Sequence, residues 1–151
     1  MARIGKGMLA GFAATVVLSA LMLMKTAMGI MPALDLPKMI AGMMGRPGTP
    51  AVGWAAHFMI GIVLYGVAIV LLSRRLPGSH TVRGMIVGAI GWLVMMTMLM
   101  PMAGGGLFAL GLGLMAPVMT LMLHLIFGAV LGAGYGRLVR HQDTRDVHAH
   151  A

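Results

Sequence analysis

The sequence predicts an all-α membrane protein, with four transmembrane helices arranged as two parallel two-helix repeats. Of its 151 residues, 60% are hydrophobic and only 9% are charged, and the mean hydropathy is +0.96. One membrane crossing needs ~20 apolar residues, and four such runs account for nearly the whole chain. Both faces of every run are apolar, whereas the strands of a membrane barrel alternate polar and apolar residues, so helices are favoured.

The charge-free runs place the four helices at about residues 7–25, 52–73, 82–100 and 116–139. The first run follows Arg3 and Lys6, as in a secretory signal peptide. No convincing small-x-small cleavage pattern precedes Lys25, so we expect this helix to be retained. Residues 1–140 then form one transmembrane domain, and residues 141–151 form a polar cytoplasmic tail that we expect to be disordered.

The first outer loop contains a short-helix signature. Asp35 suits the N-cap, Pro37 suits the first turn, and Gly45 suits the position after the helix end. Such a helix is too short to span, and we expect it to lie on the outer membrane surface as an interfacial helix. The second outer loop is apolar and rich in glycine, and we expect protein to cover it at the interface.

A short motif recurs in the second and fourth helices. The segment from His57 to Leu64 and the segment from His124 to Leu131 share the pattern His-x-x-x-Gly-x-Val-Leu. Upstream, residues 6–11 resemble residues 83–88. Each repeat contains two crossings, so both copies face the same way, which predicts a pseudo-two-fold axis along the membrane normal.

The positive charges are distributed unevenly between the two sides of the predicted bundle. The net charge is +8. One side carries Arg3, Lys6, Arg74, Arg75, Arg83, Arg137, Arg140 and Arg145, and the other carries Lys25, Lys38, Arg46 and Asp35. The positive-inside rule therefore predicts cytoplasmic N- and C-termini. We interpret the basic residues as topology signals and lipid-headgroup contacts, which argues against nucleic-acid binding.

Glycines spaced for close helix packing form a second pattern. Small residues four positions apart let helix backbones approach closely. Packing within the bundle is the simpler interpretation, and packing against another subunit, in a homo-oligomer or a larger membrane complex, is the alternative. The helix-packing candidates are Gly7, Gly11, Gly61, Gly84, Gly88, Gly128, Gly132 and Gly136.

The two repeat histidines are the main candidates for a functional site, because an ionisable residue at membrane depth usually has a role. In the simplest interpretation, His57 and His124 are neutral and donate hydrogen bonds to other helices. Alternatively, the pair holds a b-type haem, with Gly61 and Gly128 leaving room for the macrocycle and basic residues of the outer side meeting its propionates. No cofactor is the simplest expectation.

Methionine offers a further alternative. Of the 19 methionines, most fall in the outer half of the predicted bundle or in the outer loops. Thioether and imidazole ligands together suit Cu(I), so His57 and His124 are also candidate copper ligands. Methionine is equally a flexible apolar filler of membrane helices, and no compact methionine ladder recurs in both repeats.

The outer side also carries a candidate polar pair. Lys25 ends the first helix and can extend its ammonium to the headgroups, while Asp35 begins the short helix. We predict that these two residues pair and close the first outer loop over the bundle. No carboxylate lies mid-membrane, which argues against a proton pump.

Five segments resemble a group of small bacterial inner-membrane proteins classed as a domain of unknown function. These segments are residues 6–15, 28–35, 53–58, 100–104 and 123–128. The resemblance covers nearly the whole chain. It implies a four-helix integral protein of the bacterial inner membrane, and it brings no established activity.

The predicted function is a non-enzymatic accessory subunit that acts through helix packing. The sequence contains no cysteine, and it lacks paired carboxylates, a phosphate loop and a serine-histidine-aspartate spacing. Haem or copper binding through His57 and His124 is the first alternative. A small-solute channel or carrier is the second alternative, although few polar residues are available to line a path.

Overall fold

The computed structural model describes residues 3–149, with side chains through residue 140. Within this range every regular element is helical, and four helices are long and apolar enough to cross a membrane. They are α1 (Arg3–Ala27), α3 (Pro50–Leu72), α4 (His80–Met102) and α5, whose spanning part is Met115–Arg140. A shorter helix, α2 (Leu36–Met43), lies between α1 and α3. The protein is therefore a multi-pass helical membrane protein.

The helix boundaries lie within a few residues of the predicted ones, except at the C-terminus. We expected residues 141–151 to be disordered, whereas α5 extends from Met115 to Ala149. No glycine or proline follows Gly136 within this helix. Adding a residue to an existing helix is far easier than starting a new one, so the polar tail continues the helix of the membrane segment. The side chains of this tail lie outside the described residues.

Glycine contacts join the helices into two pairs. In the first pair, Gly7 of α1 meets the backbone of Gly66 in α3, and Gly11 meets that of Gly61. In the second pair, Gly84 of α4 meets the backbone of α5 at Gly128 and Gly132. A Cβ atom at Gly7, Gly11 or Gly84 would meet backbone of the other helix, so only glycine permits the observed approach at these positions.

The two pairs are joined mainly through α1 and α5. Ala10 of α1 lies against Gly134 of α5, and Ala10, Ala14 and Leu131 are fully buried in the resulting core. Helices α3 and α4 approach each other closely where the Tyr65 hydroxyl lies beside Gly91. The order around the bundle is therefore α3, α1, α5, α4, and α3 and α4 form its open side.

Both α3 and α4 contain one turn of π-helix. These turns cover Ile60–Leu64 in α3 and Met95–Leu99 in α4. A π-turn widens the helix locally and often occurs at a functional site. Both π-turns border the open side of the bundle, so they shape the space between α3 and α4.

The connections between helices follow the sequence signals in part. The short helix predicted after Asp35 is present as α2, and the Asp35 carboxylate accepts a hydrogen bond from the backbone N–H of Lys38 at 3.1 Å. The glycine-rich second loop forms a 3₁₀ segment over Leu107–Leu112. Its Ala109 is fully buried beside Met96 and Met100 of α4, so this loop packs against the bundle.

We expect Gly84→Ala to destabilise the protein by about 1–3 kcal/mol, because the added methyl group overpacks the α4–α5 contact, where only backbone faces it. Gly5→Ala is the matched control, since a Cβ at Gly5 meets nothing within 4 Å and alanine is the better helix former. The measurement is unfolding in mixed detergent micelles. Equal stability of the two variants would contradict the close α4–α5 contact.

Candidate functional site

A groove lies on the open side of the bundle between α3 and α4, with a cavity volume of about 510 Å³. Thr15 and Leu18 of α1 and Phe127 of α5 line its base. Residues of α2 (Leu36, Ile40 and Met43) line the groove near the α1–α2 loop. We call this space the α3–α4 groove. Its size lies within the 300–1,000 Å³ range of small-molecule sites.

The lining of the α3–α4 groove is almost entirely apolar and carries no charged side chain. Its polar side chains are Thr15, His57, Tyr65 and His124. Thr15 is engaged within its own helix, because its hydroxyl donates to the carbonyl of Gly11 at 2.7 Å. The tyrosine hydroxyl lies against Gly91, on the opposite wall. The two repeat histidines therefore supply most of the hydrogen-bonding chemistry of the groove.

His57 is held from several sides and is only 6% exposed. Its Nε2 lies 3.3 Å from the Ser19 hydroxyl of α1. The rings of Trp54 and Phe58 both contact the imidazole edge-on, with centroid separations of 5.7 and 5.9 Å. The Ser19 contact is the interhelical hydrogen bond that the simplest interpretation of this histidine predicts, and the neighbouring rings fix the orientation of the imidazole.

His124 is held differently, because its partner belongs to its own helix. Its Nδ1 lies 2.8 Å from the carbonyl oxygen of Thr120. A carbonyl oxygen can only accept, so Nδ1 carries the proton and Nε2 of the neutral ring has a free lone pair. Among the described residues, Nε2 has no hydrogen-bond partner. His124 lines the α3–α4 groove, and its Nε2 is the available acceptor there.

A polar network supports the position of His124. The indole N–H of Trp92 in α4 donates to the Thr120 hydroxyl at 3.1 Å and to the Pro117 carbonyl at 3.2 Å. The Thr120 hydroxyl in turn donates to the carbonyl of Ala116 at 2.8 Å. These bonds join α4 to the turn of α5 that precedes His124 and accepts its Nδ1–H.

The chain matches a protein-family model described as a family of unknown function, DUF6789, over residues 1–146. The protein belongs to this family. The match confirms the resemblance predicted from the five segments, and the family carries no assigned activity. No curated protein and no solved structure matches the DUF6789 chain.

The predicted pairing of Lys25 with Asp35 is wrong, because each residue has a different partner in the structure. The Lys25 ammonium donates to the carbonyls of Ile30, Met31 and Leu34, at 3.2, 3.0 and 2.8 Å. Asp35 pairs instead with Lys38 at 3.0 Å. The loop after α1 turns its carbonyls toward the end of that helix. These carbonyls, and not the Asp35 carboxylate, accept the hydrogen bonds of the Lys25 ammonium. Lys25 still closes the loop, although its partner is backbone.

The predicted helix-packing glycines contact other helices of the same chain. Besides the pairs that join α1 to α3 and α4 to α5, Gly88 meets the backbone of His124, and Gly136 lies against His80. The position beside Gly61 is filled by Thr15, and that beside Gly128 by the backbone of Gly84 and Met85. The room that these two glycines were predicted to leave for a macrocycle is therefore taken by helix contacts.

The other potential metal ligands in the groove beside His57 and His124 are methionine thioethers. Within the part of the chain that the structure describes, no group of three or more histidine and carboxylate side chains comes together. Four methionines line the same groove as the histidines, namely Met43, Met95, Met98 and Met102. Thioether sulfur and imidazole nitrogen are ligands that suit Cu(I).

Sequence reasoning found the two histidines and missed the groove that they line. Many of the remaining lining residues belong to α4 (Ile90, Gly91 and Val94) or to the two π-turns. These residues show no polar or periodic signal in the sequence. Gly91 is a glycine, but it lies outside the four-residue spacing that marked the other helix-packing glycines. Its role beside Tyr65 follows only from the tertiary structure.

We expect Lys25→Met to destabilise the α1–α2 loop by about 1–3 kcal/mol, because three carbonyls lose a charged donor. Lys38→Met is the matched control. Its side chain is 65% exposed in the pair with Asp35, and exposed pairs contribute at most about 1 kcal/mol. Hydrogen exchange of residues 28–46 in nanodiscs measures the difference. Faster exchange in the Lys38 variant than in the Lys25 variant would contradict the assignment.

Proposed function

We propose that this DUF6789 protein is a non-enzymatic accessory protein of the bacterial inner membrane that holds a lipid-soluble molecule in the α3–α4 groove. One observation carries the proposal: the groove is apolar, uncharged and about 510 Å³ in volume, and the two repeat histidines line it. Small-molecule sites are typically apolar cavities of this size with a few polar groups that fix orientation.

The shape of the groove favours a small elongated molecule over a partner helix. The groove lining on α3 runs from His57 to Leu72, which is about 22 Å at 1.5 Å per residue. At one end α2 lies across it, and Tyr65 meets Gly91 within it. A transmembrane helix of a partner subunit would need an unobstructed path about 30 Å long. A single hydrocarbon chain is much narrower than a helix and does not have to cross the whole membrane.

We propose that the protein lies in the membrane with both termini in the cytoplasm. Among the described side chains, the end of the bundle that contains the start of α1 carries seven Lys and Arg residues: Arg3, Lys6, Arg74, Arg75, Arg83, Arg137 and Arg140. The opposite end carries three, together with Asp35. This difference supports the orientation through the positive-inside rule, and in this orientation we propose that α2 lies at the outer membrane surface.

We also propose that the two helix pairs are parallel repeats. The close contacts support this, because Gly11 meets Gly61 in the first pair and Gly88 lies close to Gly128 in the second. These are the positions that the sequence repeat aligns. The accessory role itself stays a prediction, since the glycines that suggested a partner subunit are used within the chain.

A variant that fills the α3–α4 groove tests the proposed function. Val94 lines the groove and is 49% exposed, whereas the adjacent Leu93 is 48% exposed and outside the lining. We expect protein purified from its own membrane to retain a neutral molecule of a few hundred daltons in native mass spectrometry. Val94→Trp should lose it because the indole occupies its space, and Leu93→Trp should keep it.

Two results would contradict the proposal. One is a protein that carries no neutral molecule. The other is equal retention by both tryptophan variants, which would place the molecule on the general lipid-facing surface.

Copper handling is a second candidate function, which the four groove methionines favour. In this case His124 Nε2 and thioethers of the groove lining bind Cu(I). We expect Met98→Leu to weaken Cu(I) binding by about tenfold, equivalent to about 1.4 kcal/mol, because it removes a sulfur from the groove lining. Met59→Leu is the control, since Met59 is similarly exposed but lies outside the lining. Competition against a Cu(I) chelator measures the affinities, and no binding, or equal affinities, would exclude this candidate.

A further inference from the structure

The hydrogen-bonding state of His124 defines the chemistry of the ligand that the α3–α4 groove can hold. We infer that the ligand is a neutral, lipid-soluble phenol or alcohol whose hydroxyl donates a hydrogen bond to Nε2 of His124. This inference rests on the proposed function, and it adds the chemical class of the head group.

The first step is the direction of the hydrogen bond. Because the Thr120 carbonyl accepts from Nδ1 at 2.8 Å, the neutral imidazole has its lone pair at Nε2. A ligand carbonyl, ether or ester offers only acceptors and would leave that lone pair unpaired. A ligand hydroxyl donates to it. A molecule that lacks the donor is disfavoured at this position, since Nε2 of His124 then stays unsatisfied.

The second step is the fixed direction of Nδ1. Thr120 is four residues before His124 on the same helix, so the Nδ1 edge of the ring faces its own backbone. The same turn of α5 is tied to α4 by the Trp92 indole, which donates to Thr120 and Pro117. A ring flip would place the Cδ2–H edge at the Thr120 carbonyl and leave Nδ1 unbonded, and the other tautomer would place two acceptors together there. The structure therefore keeps Nε2 as the edge that is available to the groove.

The third step is the charge of the ligand. None of the side chains that line the α3–α4 groove is a lysine, an arginine, an aspartate or a glutamate. A phosphate or carboxylate head would lie in this apolar space without a counterion, which is strongly unfavourable. His57 does not compensate for it, because a neutral imidazole, whose Nε2 lies 3.3 Å from the Ser19 hydroxyl, supplies no counterion. A neutral head is the one that the groove can accommodate.

The fourth step is the tail. Leu64, Val94 and Met98 of the lining are each about half exposed or more, so the groove opens sideways toward the lipid. A hydrocarbon tail can enter from the bilayer and run along the groove toward Phe127 while the hydroxyl stays at His124. Burial of a chain of this kind is favourable by about 0.8 kcal/mol per CH₂ group in water, whereas from lipid the gain is small. The hydrogen bond then decides which molecules are selected.

The test compares two probes that differ only in the donor. Tritiated 4-nonylphenol binds to the protein in nanodiscs, with empty nanodiscs subtracted, and 4-nonylanisole, its O-methyl ether, competes. We expect the phenol to bind about three- to tenfold more tightly than the ether, which is the range of one net hydrogen bond. His124→Phe should remove this preference while keeping ring volume. His80→Phe, which lies outside the groove lining, should retain it.

The outcomes separate the two proposals. If phenol and ether bind equally and Val94→Trp displaces both, the groove holds apolar molecules and the hydroxyl inference is wrong. If neither probe binds above the empty-nanodisc level, both the inference and the proposed function fail. The comparison of probes on the unmodified protein is decisive even if His124→Phe does not fold.

Discussion

The glycine contacts between α1 and α3 and between α4 and α5 are the constraint on which the rest of the structure depends. In a membrane, helices gain little from burying apolar surface against each other, so close packing and hydrogen bonds must hold the bundle together. Gly11 on α1 and Gly84 on α4 provide that packing. Each helix pair is closed by its own glycines, and the pairs join through α1 and α5. The side between α3 and α4 is therefore left open, which is why a groove exists.

The sequence predicts much of this fold because the signals are local. Hydropathy and the spacing of charges place four helices, and Asp35 with Pro37 identifies the start of α2. The groove could not be predicted, because it depends on how α3 and α4 pack and on π-turns such as Met95–Leu99, which have no sequence signature. The prediction that Lys25 pairs with Asp35 was wrong for a related reason. The partner of Lys25 is a set of carbonyls that only the fold brings together.

Three hydroxyl groups of the bundle are satisfied by a carbonyl of their own helix. Thr15 donates to Gly11, Thr97 donates to Leu93, and Thr120 donates to Ala116, each four residues back on its own helix. Hydroxyl groups can use this arrangement without any other helix, so they reveal little about function. Imidazole differs, because it has two ring nitrogens and one carbonyl can satisfy only one of them. An imidazole that is engaged through one nitrogen therefore still offers the other to the protein, a ligand or a metal.

The two repeat histidines engage different first partners, and the proposed repeat offers a reason. In the register that aligns Gly7 with Gly84 and Gly11 with Gly88, Ser19 of α1 corresponds to Met96 of α4. Ser19 lies within hydrogen-bond distance of His57. Met96 is fully buried and has only a weakly accepting thioether, which lies 3.9 Å from the Thr120 hydroxyl. His124 thus lacks the partner that His57 has, and its ring turns to the backbone of its own helix. In the proposed repeat, the difference between Ser19 and Met96 therefore explains why His57 bonds to another helix and His124 bonds to its own.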